Sequence, residues 1–330
     1  MSLPQARLPT FADVVAAAGR LGPHVVRTPV SRSDAFDARV GRRVFFKCEN
    51  LQKGGSFKYR GAMNVVLQLD ASRTPVVITH SSGNHGNALS LAARARGMRA
   101  IVVIPRDSAR SKIAAIEAAG ARVELCDPGL PARERRLAEI LAAEAAELVH
   151  PFDDERIIAG QGTAAMELLA EQPGLEVIST PVGGGGLIGG TALAAKALAP
   201  GIRVIAAEPE QADDAWRSFR SGARCAVNAP QTIADGLRGS IGARNFELLR
   251  SHVDDVVTVS EAQIVEAMRI VLEDLKLLIE PSSAVPVAAA LAGKLGEPGA
   301  ALGIVLSGGN VDLDLCPFLR GIAPSSGSSR

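Results

Sequence analysis

An amine that can lose its proton near neutral pH attacks aldehydes, and Lys58 has a setting that permits this. The stretch Gly54-Gly55-Ser56-Phe57-Lys58-Tyr59-Arg60-Gly61-Ala62 places it between a glycine-containing loop and the start of a helix. Burial in a partly apolar pocket lowers the pKa of an ammonium group, and the neutral amine forms a Schiff base with an aldehyde. Lys58 is therefore the candidate anchor for a covalently held cofactor, against the plainer reading of a solvated lysine in a first helical turn. Gly183, Gly184, Gly185 and Gly186 follow a strand and open a helix, so bare backbone N–H groups at a helix N-terminus can cradle a phosphate. Ser82-Gly83-Asn84-His85-Gly86, at another such turn, presents N–H groups and hydroxyls suited to a substrate carboxylate. Ser307, ending a later strand, could bond a buried ring nitrogen, a reading that a lone serine does not carry by itself. One rival reading exists: Gly184, Gly186 and Gly189 satisfy G-x-G-x-x-G, with Glu208 where a dinucleotide-binding fold keeps its ribose acid. It implies a nicotinamide-dependent oxidoreductase, yet leaves Lys58 and the other two glycine turns without a task.

The elements that must position these residues alternate. Strands are expected at 44–47, 75–79, 100–104, 122–125, 176–180, 202–207, 256–259 and 301–306. Helices are expected at 10–19, from Lys58 to about 69, and at 87–96, 111–119, 132–146, 161–170, 186–198, 261–275 and 283–294, with 208–238 irregular. Strands alternating with helices of these lengths imply parallel sheets covered by helices. Residues 76–147 have the makings of a small domain; 1–75 and 148–330 then form a large domain from both ends of the chain, with 321–330 as a disordered tail.

Composition narrows the partners. Lys and Arg number 36 against 35 Asp and Glu, a net charge of +1 that offers no bulk field for nucleic acid or an anionic membrane. Aromatic residues at 3% also disfavour a base-stacking surface, so a small molecule is the expected partner. Cys48, Cys126, Cys225 and Cys316 are too scattered for a disulfide framework or a zinc site, which fits reduced thiols in a cytoplasm. No segment reads as a signal peptide, and the most apolar one, 182–198, is broken by glycines and Lys196.

Taken together, the motifs resemble the fold type II pyridoxal-phosphate enzymes, in particular the serine/threonine dehydratase and serine racemase family, over roughly residues 10–320. The resemblance implies a tryptophan synthase β-like fold of two open parallel-sheet lobes with pyridoxal 5'-phosphate between them. Ser56-Phe57-Lys58-Tyr59-Arg60-Gly61-Ala62 matches the cofactor-lysine motif, with Phe57 packed near the ring. Ser81-Ser82-Gly83-Asn84-His85-Gly86 matches the carboxylate loop, with Asn84 on the cofactor phenolic oxygen. The four glycines match the phosphate loop, and Ser307-Gly308-Gly309-Asn310 the motif whose serine faces the pyridine nitrogen. Ser82 matches the serine that acts, in serine racemases, as acid/base on the face opposite the lysine. Glu208-Pro209-Glu210-Gln211-Ala212-Asp213-Asp214 resembles a divalent-metal segment, so Glu208, Asp214 and the carbonyl of Ala212 are implied ligands of Mg²⁺ or Ca²⁺. The implied activity is an ammonia-lyase acting on a β-hydroxy amino acid such as L-serine or L-threonine. Serine racemisation, and dehydration of 3-hydroxyaspartate or an aryl-serine, are the alternatives. The family is commonly dimeric. Asn87, Ile113 and Ala119 replace the glutamine, lysine and tyrosine of the animal racemases' nucleotide site, which argues against activation by ATP. Phe152 stands where those racemases carry asparagine.

Overall fold

Short aliphatic runs bounded by glycine or proline form strands buried on both faces, as a parallel sheet covered by helices demands. Val76–His80 and Leu302–Leu306 are buried at every position. The computed structural model describes residues 7–81, 83–108, 110–227, 230–297 and 299–313. In chain order the elements are α1 (Phe11–Leu21), β1 (Val30–Ser31), α2 (Asp34–Val40), β2 (Val44–Cys48), α3 (Lys58–Val66), β3 (Val76–His80), α4 (Asn84–Ala95) and β4 (Arg99–Pro105). Next come α5 (Arg110–Ala118), β5 (Arg122–Cys126), α6 (Leu130–Ala143), β6 (Glu147–Leu148), α7 (Glu155–Glu171), β7 (Val177–Pro181) and α8 (Gly186–Leu198). The remainder is β8 (Arg203–Pro209), α9 (Asp214–Ser221), α10 (Ala243–His252), β9 (Asp255–Val259), α11 (Glu261–Leu275), α12 (Pro281–Leu291) and β10 (Leu302–Leu306).

Two sheets result, one in each lobe. The larger has the order β1-β2-β10-β7-β8-β9 and is parallel except for β1; the smaller, β5-β4-β3-β6, is wholly parallel. Leu306 pairs with Cys48, which brings the chain end that carries Ser307 beside the strand that leads to Lys58. In the larger lobe Phe36 and Phe46 meet edge to face at 5.0 Å between ring centres, inside a core shared with α11 and α12. Helices α7 and α8 touch through their backbones. A Cβ on Gly190 would overlap the carbonyl oxygen of Ile158 and the amide of Gly162, so only glycine permits this approach.

Several boundaries differ from the sequence reading. Helix α7 starts at Glu155 instead of 161, because the Asp154 carboxylate accepts from the amides of Arg156 and Ile157. Helix α4 starts at Asn84, inside the carboxylate-loop motif, and α3 ends at Val66. The stretch 208–238 is not wholly irregular, since it holds α9, and α2 and α10 were not anticipated at all. No helix among the described residues is long and apolar enough to cross a membrane. Ser82, Cys316 and the tail at 321–330 lie outside the described residues.

Candidate active site

Lys58 is the first residue of α3, and the turn that delivers it is stitched to the end of β10. The amide of Phe57 donates to the Ser307 carbonyl at 3.0 Å, and Gly309 donates to Gly55 at 2.9 Å. Ser56 and Gly308 form a single antiparallel bridge between them. Gly54 and Gly55 adopt φ of 72° and 71°, a left-handed turn that other residues resist. The half-buried Lys58 Nζ donates to the Pro151 carbonyl at 2.8 Å and lies 5.2 Å from the centre of the Phe57 ring. Burial lowers its pKa to about 8, with the negative charge of Glu280 pulling the other way. His85 and His150 nearby are held neutral, first by burial and then by the charge of Lys58 among their neighbours.

Two residues further on, Arg60 fixes the helix. Its guanidinium forks onto both oxygens of Glu49 at 2.7 and 2.8 Å, and onto both oxygens of Glu167 at 2.7 and 2.8 Å. Lys47 adds a second cation at 2.7 Å from Glu167. Arg60, Glu49 and Lys47 are all fully buried, a setting in which removing one partner strands a charge at a cost of about 3–5 kcal/mol. The network ties α3 to β2 and α7, so the backbone at Lys58 is held from two sides.

Ser81 Oγ accepts from the amides of Gly83 and Gly86, both at 3.0 Å, which caps the first turn of α4. Its acceptor capacity is spent on shaping the loop. The amides of Asn84 and His85 have no acceptor among the described residues and sit at a helix N-terminus, where an anion is favoured. His85 is buried, with Nε2 3.4 Å from the Val149 carbonyl. The Asn84 side chain donates to both oxygens of Glu280, at 2.8 and 2.9 Å, and accepts from Asn310 at 3.0 Å. Glu280 was not foreseen from the sequence. Burial first, and then Asp235, raise its pKa to about 7, so the Asn84 pairing involves a group that titrates near neutrality.

The glycine turn joins β7 to α8. None of the amides of Gly183, Gly184 and Gly185 has an acceptor among the described residues. Gly185 is left-handed, φ 91°. Leu237 and Phe152 pack on Gly183 and Gly184 so closely that a Cβ at either would collide, which keeps this backbone bare. Ser307 is buried, and its hydroxyl has no partner among the described residues. An amine held near neutrality, an unobstructed run of N–H donors and a serine hydroxyl unengaged among the described residues fit pyridoxal 5'-phosphate, with its aldehyde, phosphate and ring nitrogen.

Glu208, Ala212 and Asp214 are each nearly or fully buried. Glu208 accepts from the amides of Trp216 at 2.5 Å and Ala215 at 3.3 Å, and Asp214 Oδ2 from Ile241 at 2.8 Å, leaving Oδ1 without a partner. Burial pushes the Asp214 carboxyl up to about 6 and Glu208 well above its ordinary value. An orphaned oxygen and two desolvated acids suit a hard cation, although no group of three or more such side chains gathers among the described residues.

Site and fold together define a two-lobed α/β enzyme built to hold a phosphorylated aldehyde beside an amino acid. Residues 21–308 match the family described as pyridoxal-phosphate dependent enzyme. Over 312 residues the chain is 45% identical to beta-hydroxyaspartate dehydratase of Paracoccus denitrificans, covering 94% of this chain and 99% of that one. It is 46% identical over 311 residues to serine racemase of Arabidopsis thaliana, covering 92% and 94%. The solved structure of maize serine racemase superposes with a TM-score of 0.91 at 42% identity, covering 93% and 95%. The chain belongs to the pyridoxal-phosphate dependent enzyme family, and the nicotinamide alternative is set aside.

Proposed function

We propose that this enzyme is an ammonia-lyase that dehydrates a β-hydroxy amino acid to a 2-oxo acid. The observation that carries the reading is Lys58 Nζ, held at the Pro151 carbonyl with its pKa lowered to about 8, in a turn whose backbone is bonded to Ser307. Bound pyridoxal 5'-phosphate would supply an electron sink for the Cα–H bond. Lys58 would hold the cofactor's aldehyde, and as a free amine its Nζ would take the substrate's Cα proton. The amides of Asn84 and His85 would orient the substrate carboxylate, and Phe57 would pack against the ring. Gly183, Gly184, Gly185 and Gly186 would hold the phosphate. The Ser307 hydroxyl, a weak acid, would bond the ring nitrogen without protonating it strongly, which favours prompt loss of the β-hydroxyl over transamination. Ser82 would be the acid/base of the opposite face, and its role separates elimination from racemisation. Mg²⁺ or Ca²⁺ at Glu208, Ala212 and Asp214, and a homodimer in the cytoplasm, complete the reading.

A second carboxylate on the substrate, as in 3-hydroxyaspartate, has its own support in Arg133. This guanidinium belongs to a half-buried residue, and its Nε is buried without a partner among the described residues. Burial lowers its pKa, and its charge is felt at His80, which precedes the carboxylate loop. The test is ammonia and 2-oxo acid release from L-serine, L-threonine, 3-hydroxyaspartate and an aryl-serine, with product enantiomers read in parallel. Release that Lys58→Ala abolishes is expected, with Arg133→Met lowering kcat/KM for the dicarboxylic substrate alone. No release from any β-hydroxy amino acid overturns the lyase, and D-serine formed from L-serine faster than pyruvate makes racemisation the main activity. Ser82→Ala should abolish L/D interconversion, by about 10²–10⁴-fold, and spare elimination.

A further inference from the structure

Helix α10 reaches the glycine turn through one fully buried side chain, Asn245. Its Nδ2 donates to the Gly184 carbonyl at 2.8 Å and to the Phe152 carbonyl at 2.9 Å. The Gly184 carbonyl also accepts from the Gly242 amide at 3.1 Å, so it is held from two sides on the α10 face. The fit is close: a Cβ on Gly185 would lie 2.6 Å from the Asn245 Cβ, and one on Gly189 3.0 Å from its Oδ1. Asp153 anchors the same helix, accepting from the amides of Ala243 and Arg244 at 3.0 Å each.

A trans peptide points its C=O and the next N–H in opposite directions. With the Gly184 carbonyl fixed toward α10, the Gly185 N–H must face away from it, and no backbone acceptor takes that N–H among the described residues. Without the Asn245 amide only the Gly242 N–H still holds the Gly184 carbonyl, and the left-handed Gly185, which imposes little conformational preference, lets this peptide rotate more readily and present its carbonyl to an incoming anion. We propose that Asn245 is a positioning residue for phosphate binding, which locks the Gly184–Gly185 peptide so that its N–H faces the cofactor's phosphate. The inference rests on the reading of the four glycines as a phosphate loop. It adds a residue from α10, a helix outside the three turns that carry the site motifs.

The test compares pyridoxal 5'-phosphate with pyridoxal, which differs only in lacking the phosphate. Dissociation constants for both are measured on wild type, Asn245→Ser and Asn245→Asp, together with the ³¹P shift of the bound phosphate and the melting temperature of the cofactor-free protein. In both variants the constant for the phosphorylated form should rise about tenfold or more, and the phosphorus resonance should move, while the constant for pyridoxal stays within a factor of two. Parallel weakening of both ligands makes Asn245 a general structural brace and overturns the proposal, as does unchanged binding of both. If Asn245→Asp does not fold, Asn245→Ser, which keeps a small polar group, decides by the same ratio. A wild type that binds the two ligands equally would instead overturn the phosphate-loop reading itself.

Discussion

At pH 7 an amine with a pKa of about 8 is neutral roughly one time in ten, whereas an ordinary lysine is neutral roughly once in three thousand. That difference is what a covalent cofactor anchor needs, and burial at the Pro151 carbonyl produces it. The rate at which cofactor-free protein takes up pyridoxal 5'-phosphate should therefore climb about tenfold per pH unit below 7 and level off above about 8. Glu280 stabilises the ammonium form, so Glu280→Gln should move the plateau to lower pH. A plateau reached only beyond pH 10 would mean that Lys58 is an ordinary lysine. Because the folded pKa lies below the unfolded one, the cofactor-free protein should also gain stability as pH rises from about 8 toward 10.5. The placement of Lys58, the four glycines and Ser307 at the ends of strands and starts of helices was legible in the sequence because each belongs to a contiguous run of telling residue types. Glu280, Arg133 and Asn245 were not, since each is a single side chain brought in by a distant element and becomes informative only through its partners.

Among the elements, the strands and long helices followed from alternating aliphatic runs, and α11 has the predicted bounds, with Ser260 and Gln263 as its capping pair. Helix α10 escaped notice for a definite reason: its capping carboxylate, Asp153, lies ninety positions earlier in the chain. Asp153→Ala should cost about 1 kcal/mol of unfolding free energy, measured by urea denaturation, and no loss would make the cap ornamental. The α7 and α8 backbones meet at Gly190, so Gly190→Ala should cost about 1–3 kcal/mol in the same experiment. Lys276 closes α11 in the left-handed region at φ 59°, the lone non-glycine residue there among those described. Lys276→Gly should stabilise by about 0.5–1 kcal/mol, and a loss of stability would show that its Nζ bond to the Glu273 carbonyl outweighs the backbone strain.

Across the whole molecule, the C-terminal ends of β2, β3, β7 and β10 lead into the Lys58 turn, the turn before α4, the glycine turn and Ser307, the edge at which parallel sheets place ligands. The two lobes are tied across this edge by Asn84 with Glu280 and by Lys112 with Asp235. We propose 76–147 as the smaller domain on this basis. A cation at Glu208 and Asp214 would brace β8 against α9, so exhaustive chelation should lower the melting temperature and added Mg²⁺ or Ca²⁺ should restore it. An unchanged melting curve with no metal in elemental analysis would remove that site. The central claim, that Lys58 carries the cofactor, is tested most directly by borohydride reduction of the purified, cofactor-loaded protein followed by peptide mass mapping. The prediction is a yellow protein that yields a single phosphopyridoxyl group on Lys58, absent from Lys58→Ala. A colourless protein that takes up no label, or a label fixed on another lysine, would contradict it.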